Sequence, residues 1–482
     1  MRFHRAVTGL LLASALISSG CLSLMGGETK AGATAARQVE AEMGLVHDPA
    51  LVAYVREIGQ RLAAHASRKN VPWKFQIVDM PEPNAFALPG GYVYVSRGLL
   101  ALVNDESELA GVIGHEIGHV TAHHGNKRVT LAAPFMILSG VTGWVTGIVS
   151  PRLGETLSNA SNTMAQGLLI APFSRSQERE ADRIGAELSA KAGWDPGSFG
   201  TFLETLGRFE AALTGEERHT SWLDSHPASA DRAAATRKFA AGLERATPNP
   251  VARDRADLFR RLDGLLLGPD PAAGVRVDDR FVHPELDWSI RFPEGWTLLN
   301  SPAAVVSREA DGNAAIILQL AASDKSLDAL LKEIEEQAPS KHEIERKTLN
   351  GRATAHTVLE QKGDWIDVTW IEHKGHVYQI IGICRRTQQA TWQVPFDRSI
   401  ASFREMQPAE LKKIRDQRLR IATAKAKESL DELLTRLGSD WDAALTGVAN
   451  SIEIDAPLDR GSWSNSASSN PTHRVVDGGS HG

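Results

Sequence analysis

His115-Glu116-Ile117-Gly118-His119 sets two imidazoles four residues apart with a carboxylate between them. On an α-helix, residues at i and i+4 share a face, so both rings can approach one cation, at ~2.0–2.1 Å per Zn–N bond. Glu116, next to the first histidine, is placed to take a proton from a water whose pKa zinc lowers to about 7. The hydroxide attacks a carbonyl, and the protonated Glu then serves the leaving amine. The spacing therefore predicts peptide hydrolysis. A helix carrying two ordinary histidines is the plainer alternative. It would bury Glu116 uncompensated on an apolar face, at a cost of several kcal/mol.

A catalytic zinc takes three protein ligands and keeps a fourth position open. Gly125 stands six residues after His119, so the pattern that draws its third ligand, a histidine, from there is absent. Glu178-Arg179-Glu180-Ala181-Asp182 offers a carboxylate on a second helix. Asp182 lies one helical turn beyond Glu178 and can accept a hydrogen bond from a ligand imidazole. Glu180 is a rival ligand, and the spacing to Asp182 favours Glu178. His123, four residues after His119, could compete for the metal, but helix geometry places it a turn away from the open position.

The run Asn104–Val120 followed by Glu178–Asp182 resembles the HtpX-like and CAAX-prenyl-protease family of zinc gluzincins, nearest its periplasmic lipoprotein branch of β-barrel assembly-enhancing proteases. Asn84–Tyr92, Ser225-His226-Pro227 with Arg232, and the acidic Glu106 and Glu108 fit the same family, and the likeness covers about Arg37 to Arg245. It implies one zinc per chain, with His115, His119 and Glu178 as ligands and Glu116 as base. Asp182 and Arg232 would support the ligands. His226 would either steady the oxyanion or plug the zinc when the enzyme is idle. His124 matches the last histidine of the family's helix, with no role legible from the sequence. The strand starting Asn84-Ala85-Phe86 suits an extended substrate that adds to a sheet edge through main-chain hydrogen bonds; a plain structural hairpin is the alternative.

These residues need elements to position them. Asp105 to His124 reads as one helix, with acidic residues at its start and Gly125 past its end. Trp73 to Val78 alternates as a strand, and Asn84 to Val95 reads as two β pieces around Pro89-Gly90-Gly91. The predicted fold class is α+β: a mainly helical zincin domain over 37–245 with a small sheet, a proline-bearing linker over 246–275, then an α+β domain over 276–405. That domain has β-rich runs from Trp288, Ala314, Trp365 and Val377 and a helix over Leu327–Gln337, and it resembles PsbP through Phe292-Pro-Glu-Gly-Trp296 and Ser402-Phe403. His373 and His376 flank Gly375 and predict a hairpin turn, not a metal site. From Pro408 the chain reads as charged and helical. Residues 418–464 resemble a LysM module through Ser429-Leu430, Val448-Ala449-Asn450 and Pro457-Leu458, which implies peptidoglycan as a partner; an amphipathic helical tail is the alternative. A polar tail over 465–482 is expected to be disordered.

The start of the chain predicts export. Arg2 and Arg5 precede an apolar run, Ala6 to Ile17, too short to span a bilayer as a permanent helix. Ser18-Ser19-Gly20-Cys21 resembles a lipobox, with Ser18 where leucine is usual, so 1–21 is a lipoprotein signal and Cys21 the lipidation site. A plain secretory peptide is the alternative. Leu22 implies outer-membrane sorting, and 22–36 reads as a flexible tether. Cys384 is then without an intrachain partner and is expected as a buried thiol. Val129 to Val149 carries no charge; a single crossing there would part Glu178 from the histidines, so a buried or interfacial helix is expected. With 482 residues, 42% apolar and 23% charged, and a net charge of −6, the chain is globular and has no basic field for nucleic acid. Together these features predict a periplasmic, lipid-anchored zinc endopeptidase acting on unfolded or misassembled envelope polypeptides. The rival is a chaperone or cell-wall adaptor whose zinc is plugged by His226.

Overall fold

A computed structural model describes residues 30, 32–41, 43–124, 173–212, 222–226, 230–302, 304–337, 343–361, 363–452, 458 and 463–471. Cys21, Gly125, Pro227, the 129–149 segment and residues 472–482 lie outside the described residues. Those described form an α+β structure.

The first domain has a three-stranded sheet of β1 (Lys74–Val78), β2 (Ala85–Leu88) and β3 (Tyr92–Ser96) in the order β1-β3-β2, which leaves β2 at an edge. β3 runs parallel to β1 and antiparallel to β2. Gly90 and Gly91 make the connecting turn at φ 83° and 91°, a region that L side chains avoid. One face of the sheet packs on a helix over 32–41 through Ala36 and Val39 against Phe86, Leu88 and Tyr94. The end of the expected 22–36 tether is therefore packed structure, because its alanines and the following valine recur at helical spacing.

The motif helix, Glu106–Thr121, is capped by Asp105, whose carboxylate accepts from the Glu108 N–H. A second helix, Arg175–Ala192, starts in a Ser174/Gln177 capping box and stops at Gly193, φ 90°. These two helices meet backbone to backbone. A methyl group on Gly185 would stand 2.7 Å from the His115 nitrogen, one on Gly118 2.9 Å from the Ala181 oxygen, and one on Gly114 3.0 Å from the Gly185 oxygen. The helix Ser198–Ala212 closes the other side, with Phe199 against Gly111.

The expected linker, 246–275, is part of this core. Arg255–Leu262 is a helix with Leu258, Phe259 and Leu262 buried in the same apolar cluster as Ile113 and Ile117. Pro248, Pro250, Pro269 and Pro271 bracket this packed turn of chain. The buried carboxylate of Glu106 fastens it: it accepts from the Tyr54 hydroxyl at 2.9 Å, the Trp194 indole at 2.8 Å, the Val251 N–H at 2.6 Å and the Ala252 N–H.

Residues 276–405 hold a seven-stranded antiparallel sheet, with the helices Leu327–Gln337 and Gln389–Ala401 packed in separate apolar clusters on alternating strand residues. The second of these helices contains Pro395, an interior proline that a helical sequence pattern does not predict. Lys374 and Gly375, at φ 49° and 79°, make the expected hairpin turn, with His373 facing His376 across it. Cys384 is a buried free thiol, as expected.

The end of the chain departs from expectation. Arg415–Thr423 is a strand, not a helix, and it pairs antiparallel with Trp463–Pro471, so the tail expected to be disordered from 465 is ladder-paired up to 471. No proline precedes Pro471 in that stretch, so no ladder N–H is lost before it. Two helices, Leu430–Leu437 and Ala443–Asn450, lie between the strands. Leu419 and Ala449 enter the core of the first domain, and the Arg255 guanidinium donates to Asn104 Oδ1 at 2.6 Å and to the Asn450 carbonyl at 2.8 Å. Among the described residues no helix is long and apolar enough to cross a membrane.

Gly185→Ala is expected to destabilise the fold by about 1–3 kcal/mol through overpacking, read as a lowered urea midpoint; an unchanged midpoint would contradict the close helix contact. Glu108 supplies a pH-dependent contribution. Burial raises its carboxyl to about 8, against the Asn104 N–H that it accepts at 2.7 Å. A raised folded pKa means that its stability contribution is full below the unfolded value of about 4.5 and is lost as pH rises toward 8. Glu108→Gln should flatten the stability curve between pH 5 and pH 8 by a few kcal/mol; a curve unchanged by the substitution contradicts this assignment.

Candidate metal centre

His115, His119, Glu178 and His226 are all buried, and each offers a ligand atom within 4.8 Å of the others. His115 Nε2 lies 2.9 Å from His119 Nε2 and 3.2 Å from His226 Nδ1. Glu178 Oε1 lies 3.0 Å from His226 Nδ1 and 3.4 Å from His119 Nε2. Four donors around a tetrahedral zinc with ~2.0–2.1 Å bonds would be about 3.3 Å apart. The spacing, together with a set of three imidazoles and a carboxylate, fits a zinc-type cation. Glu180 does not join them: its Oε2 is 3.4 Å from His124 Nε2. His123 is exposed, at φ 57° just past the helix end, and outside the cluster.

The charges around the donors are ordered. Arg232 holds Asp182 through two bonds, Nε to Oδ2 at 2.8 Å and Nη2 to Oδ1 at 2.6 Å, and its Nη1 pairs with Glu178 Oε2 at 2.6 Å. Asp182 Oδ1 also lies 2.9 Å from His115 Nδ1. Burial pushes the Glu178 carboxyl up, but the adjoining His226 and His119 outweigh it and hold it below the usual carboxylate range. Burial likewise opposes ionisation of Asp182, and Arg232 with His115 overcomes it. Burial first, and His115 second, pull His119 well below the ordinary imidazole value. Burial also lowers His226, against the pull of Glu178 and Glu116. Neutral imidazoles keep a lone pair free for a metal.

Glu116 is buried beside the cluster. Its Oε1 accepts from the Trp222 indole at 3.2 Å and lies 3.7 Å from His226 Nε2. Trp222 was not anticipated. It stacks on His226 at 4.5 Å, one helical turn before it, and its backbone N–H donates to the Pro83 carbonyl at 3.1 Å, tying this segment to the start of β2. The i, i+4 spacing of Trp222 and His226 was the available signal. Phe199 and Phe173 were also missed; they lie against His115 and His119 at ring separations of 5.1 and 3.9 Å. Asn84 stands just before β2 and exchanges bonds with Ser96, while Ala85 and Phe86 are buried.

The profile of peptidase family M48 matches residues 49–240. The β-barrel assembly-enhancing protease of Escherichia coli (strain K12) is 33% identical over 195 residues, 39% of each chain. That of Yersinia pestis is 31% identical over 265 residues, covering 53% of this chain and 52% of its own. Mitochondrial metalloendopeptidase OMA1 of Arabidopsis thaliana is 37% identical over 170 residues, covering 35% of this chain and 32% of its own. The chain thus spans between about a third and a half of the length of these relatives. A solution structure of cyanobacterial PsbP from Synechocystis aligns with 29% of this chain and 96% of its own at 15% identity, with a TM-score of 0.21 that establishes no fold likeness. The two histidines of the motif helix, the Glu178 helix and His226 all lie inside residues 49–240, the region of this chain that matches peptidase family M48.

Proposed function

We propose that the chain is a zinc endopeptidase of the bacterial envelope that hydrolyses unfolded or misassembled envelope polypeptides. The observation that carries the reading is the convergence of His115, His119 and Glu178 from two helices, with Glu116 buried at their side. Those three residues would hold the ion, and imidazole with carboxylate donors suits zinc. When bound, the ion supplies Lewis acidity toward water and toward a carbonyl oxygen. Glu116, oriented by the Trp222 indole, takes the proton of the attacking water and returns it to the leaving nitrogen. Arg232 offsets the charge of Glu178 and Asp182, which would otherwise be buried carboxylates without a cation.

The edge position of β2 supports the substrate reading for Asn84, Ala85 and Phe86: an extended chain would pair with the backbone there, with little sequence preference. Envelope placement rests on the export signal and on the names of the bacterial relatives. The lipid anchor at Cys21, outer-membrane sorting and a peptidoglycan contact through 418–464 belong to the same proposal and rest on sequence.

A second reading, a chaperone or adaptor with a plugged site, is favoured by one observation. His226 sits in the fourth donor position, 3.0 Å from Glu178 and 3.2 Å from His115.

Glu116→Gln is expected to lower casein cleavage by about 10²–10⁴-fold while the protein keeps its zinc by elemental assay; retained cleavage refutes the assignment of the base. His226→Ala is expected to raise cleavage if this histidine fills the water's place. A fall in rate would assign His226 to the oxyanion, and silence in both proteins would favour the adaptor.

A further inference from the structure

We propose that His124 and Glu180 position the His119 ring, so that each motif histidine is backed by a carboxylate from the second helix. The proposal rests on the metallopeptidase reading and deepens it. The motif helix ends at Thr121, and His123 then takes a left-handed conformation, φ 57°, that costs an L residue about 1–2 kcal/mol. That reversal folds His124 back beneath the helix, where it is buried with its Nδ1 3.0 Å from His119 Nδ1. His124 Nε2 faces Glu180 Oε2 at 3.4 Å. Phe173 covers one face of the His119 ring, 24° from parallel.

The protons can be placed. Two ring nitrogens at 3.0 Å bond only if one carries hydrogen. His119 Nε2 points at Glu178 Oε1 and His115 Nε2, so it must present a lone pair to a shared metal. Its hydrogen is then on Nδ1 and is donated to His124 Nδ1. His124 in turn carries its own hydrogen on Nε2, toward Glu180. A ligand imidazole almost always gives its other N–H to a carboxylate, carbonyl or water. His115 meets that need at Asp182 directly; His119 meets it through an imidazole that reaches a carboxylate at the surface, since Glu180 is 61% exposed. His124 is a positioning residue in this scheme and touches neither substrate nor metal.

The test is cobalt(II) titration of the full-length protein, read by competition with a chelator and by the visible d–d bands. His124→Ala is expected to bind cobalt about 10–100-fold more weakly with altered bands, while the unfolding midpoint of its metal-free form stays at the wild-type value. His124→Gln keeps an acceptor for His119 Nδ1–H and is expected to recover most of the affinity. Wild-type affinity and bands in His124→Ala overturn the proposal. If the alanine variant is destabilised without metal, the glutamine variant decides: recovery supports positioning, and affinity as weak as alanine's overturns it. A wild-type protein that binds no cobalt is a different failure, because it removes the metal site itself.

Discussion

Direct contact between two helix backbones governs the rest of the site. Gly114 and Gly118 on the motif helix and Gly185 on the second helix leave no room for a Cβ, and the main chains touch around His115 and Ala181. Glu178 and Asp182 are short of reach for His119 and His115 at any wider helix spacing. The pair carries four glycines, Gly111, Gly114, Gly118 and Gly185, each costing up to ~1 kcal/mol in a helix, and the packing of Ile113, Ile117, Leu188 and Phe199 into one buried cluster offsets that cost.

The second constraint is charge. Three carboxylates, Glu116, Glu178 and Asp182, are buried within one small volume. Arg232 answers two of them, and Trp222 hydrogen-bonds the third. Removing either partner from such a pair would leave an uncompensated buried charge, which is far more costly than the pair is stabilising. The site is therefore pre-organised by its outer partners: Arg232 through Asp182 for His115, and the His124 contact for His119. Glu106 performs a comparable task at the far end of the motif helix, where its four bonds fasten the 251–252 segment to the helix start.

Much of this was legible in the sequence, for physical reasons specific to each residue. His115, Glu116 and His119 are separated by covalent spacing alone, and a helix fixes their relation. Glu178 was separable from Glu180 because Asp182 is one turn from the former, and the structure places Glu180 on His124 instead. What escaped depends on tertiary contact. Leu258, Phe259 and Leu262 lie between prolines that mimic a linker, yet they are buried. The return of His124 hinges on a left-handed histidine, a conformation that no local pattern announces. Phe173 precedes the second helix and falls outside its pattern, and Trp222 is marked only by its i, i+4 spacing to His226. The pairing of 415–423 with 463–471 joins stretches too distant in sequence for either to reveal the other.

The most direct test of the shared-cation arrangement is X-ray absorption at the zinc edge of the purified full-length protein, with metal stoichiometry measured on the same sample. The account predicts one zinc per chain in a nitrogen and oxygen shell at about 2.0–2.1 Å with imidazole outer-shell scattering, and loss of that signature in Glu178→Ala. Absence of stoichiometric metal, or an unaltered shell in Glu178→Ala, would contradict it.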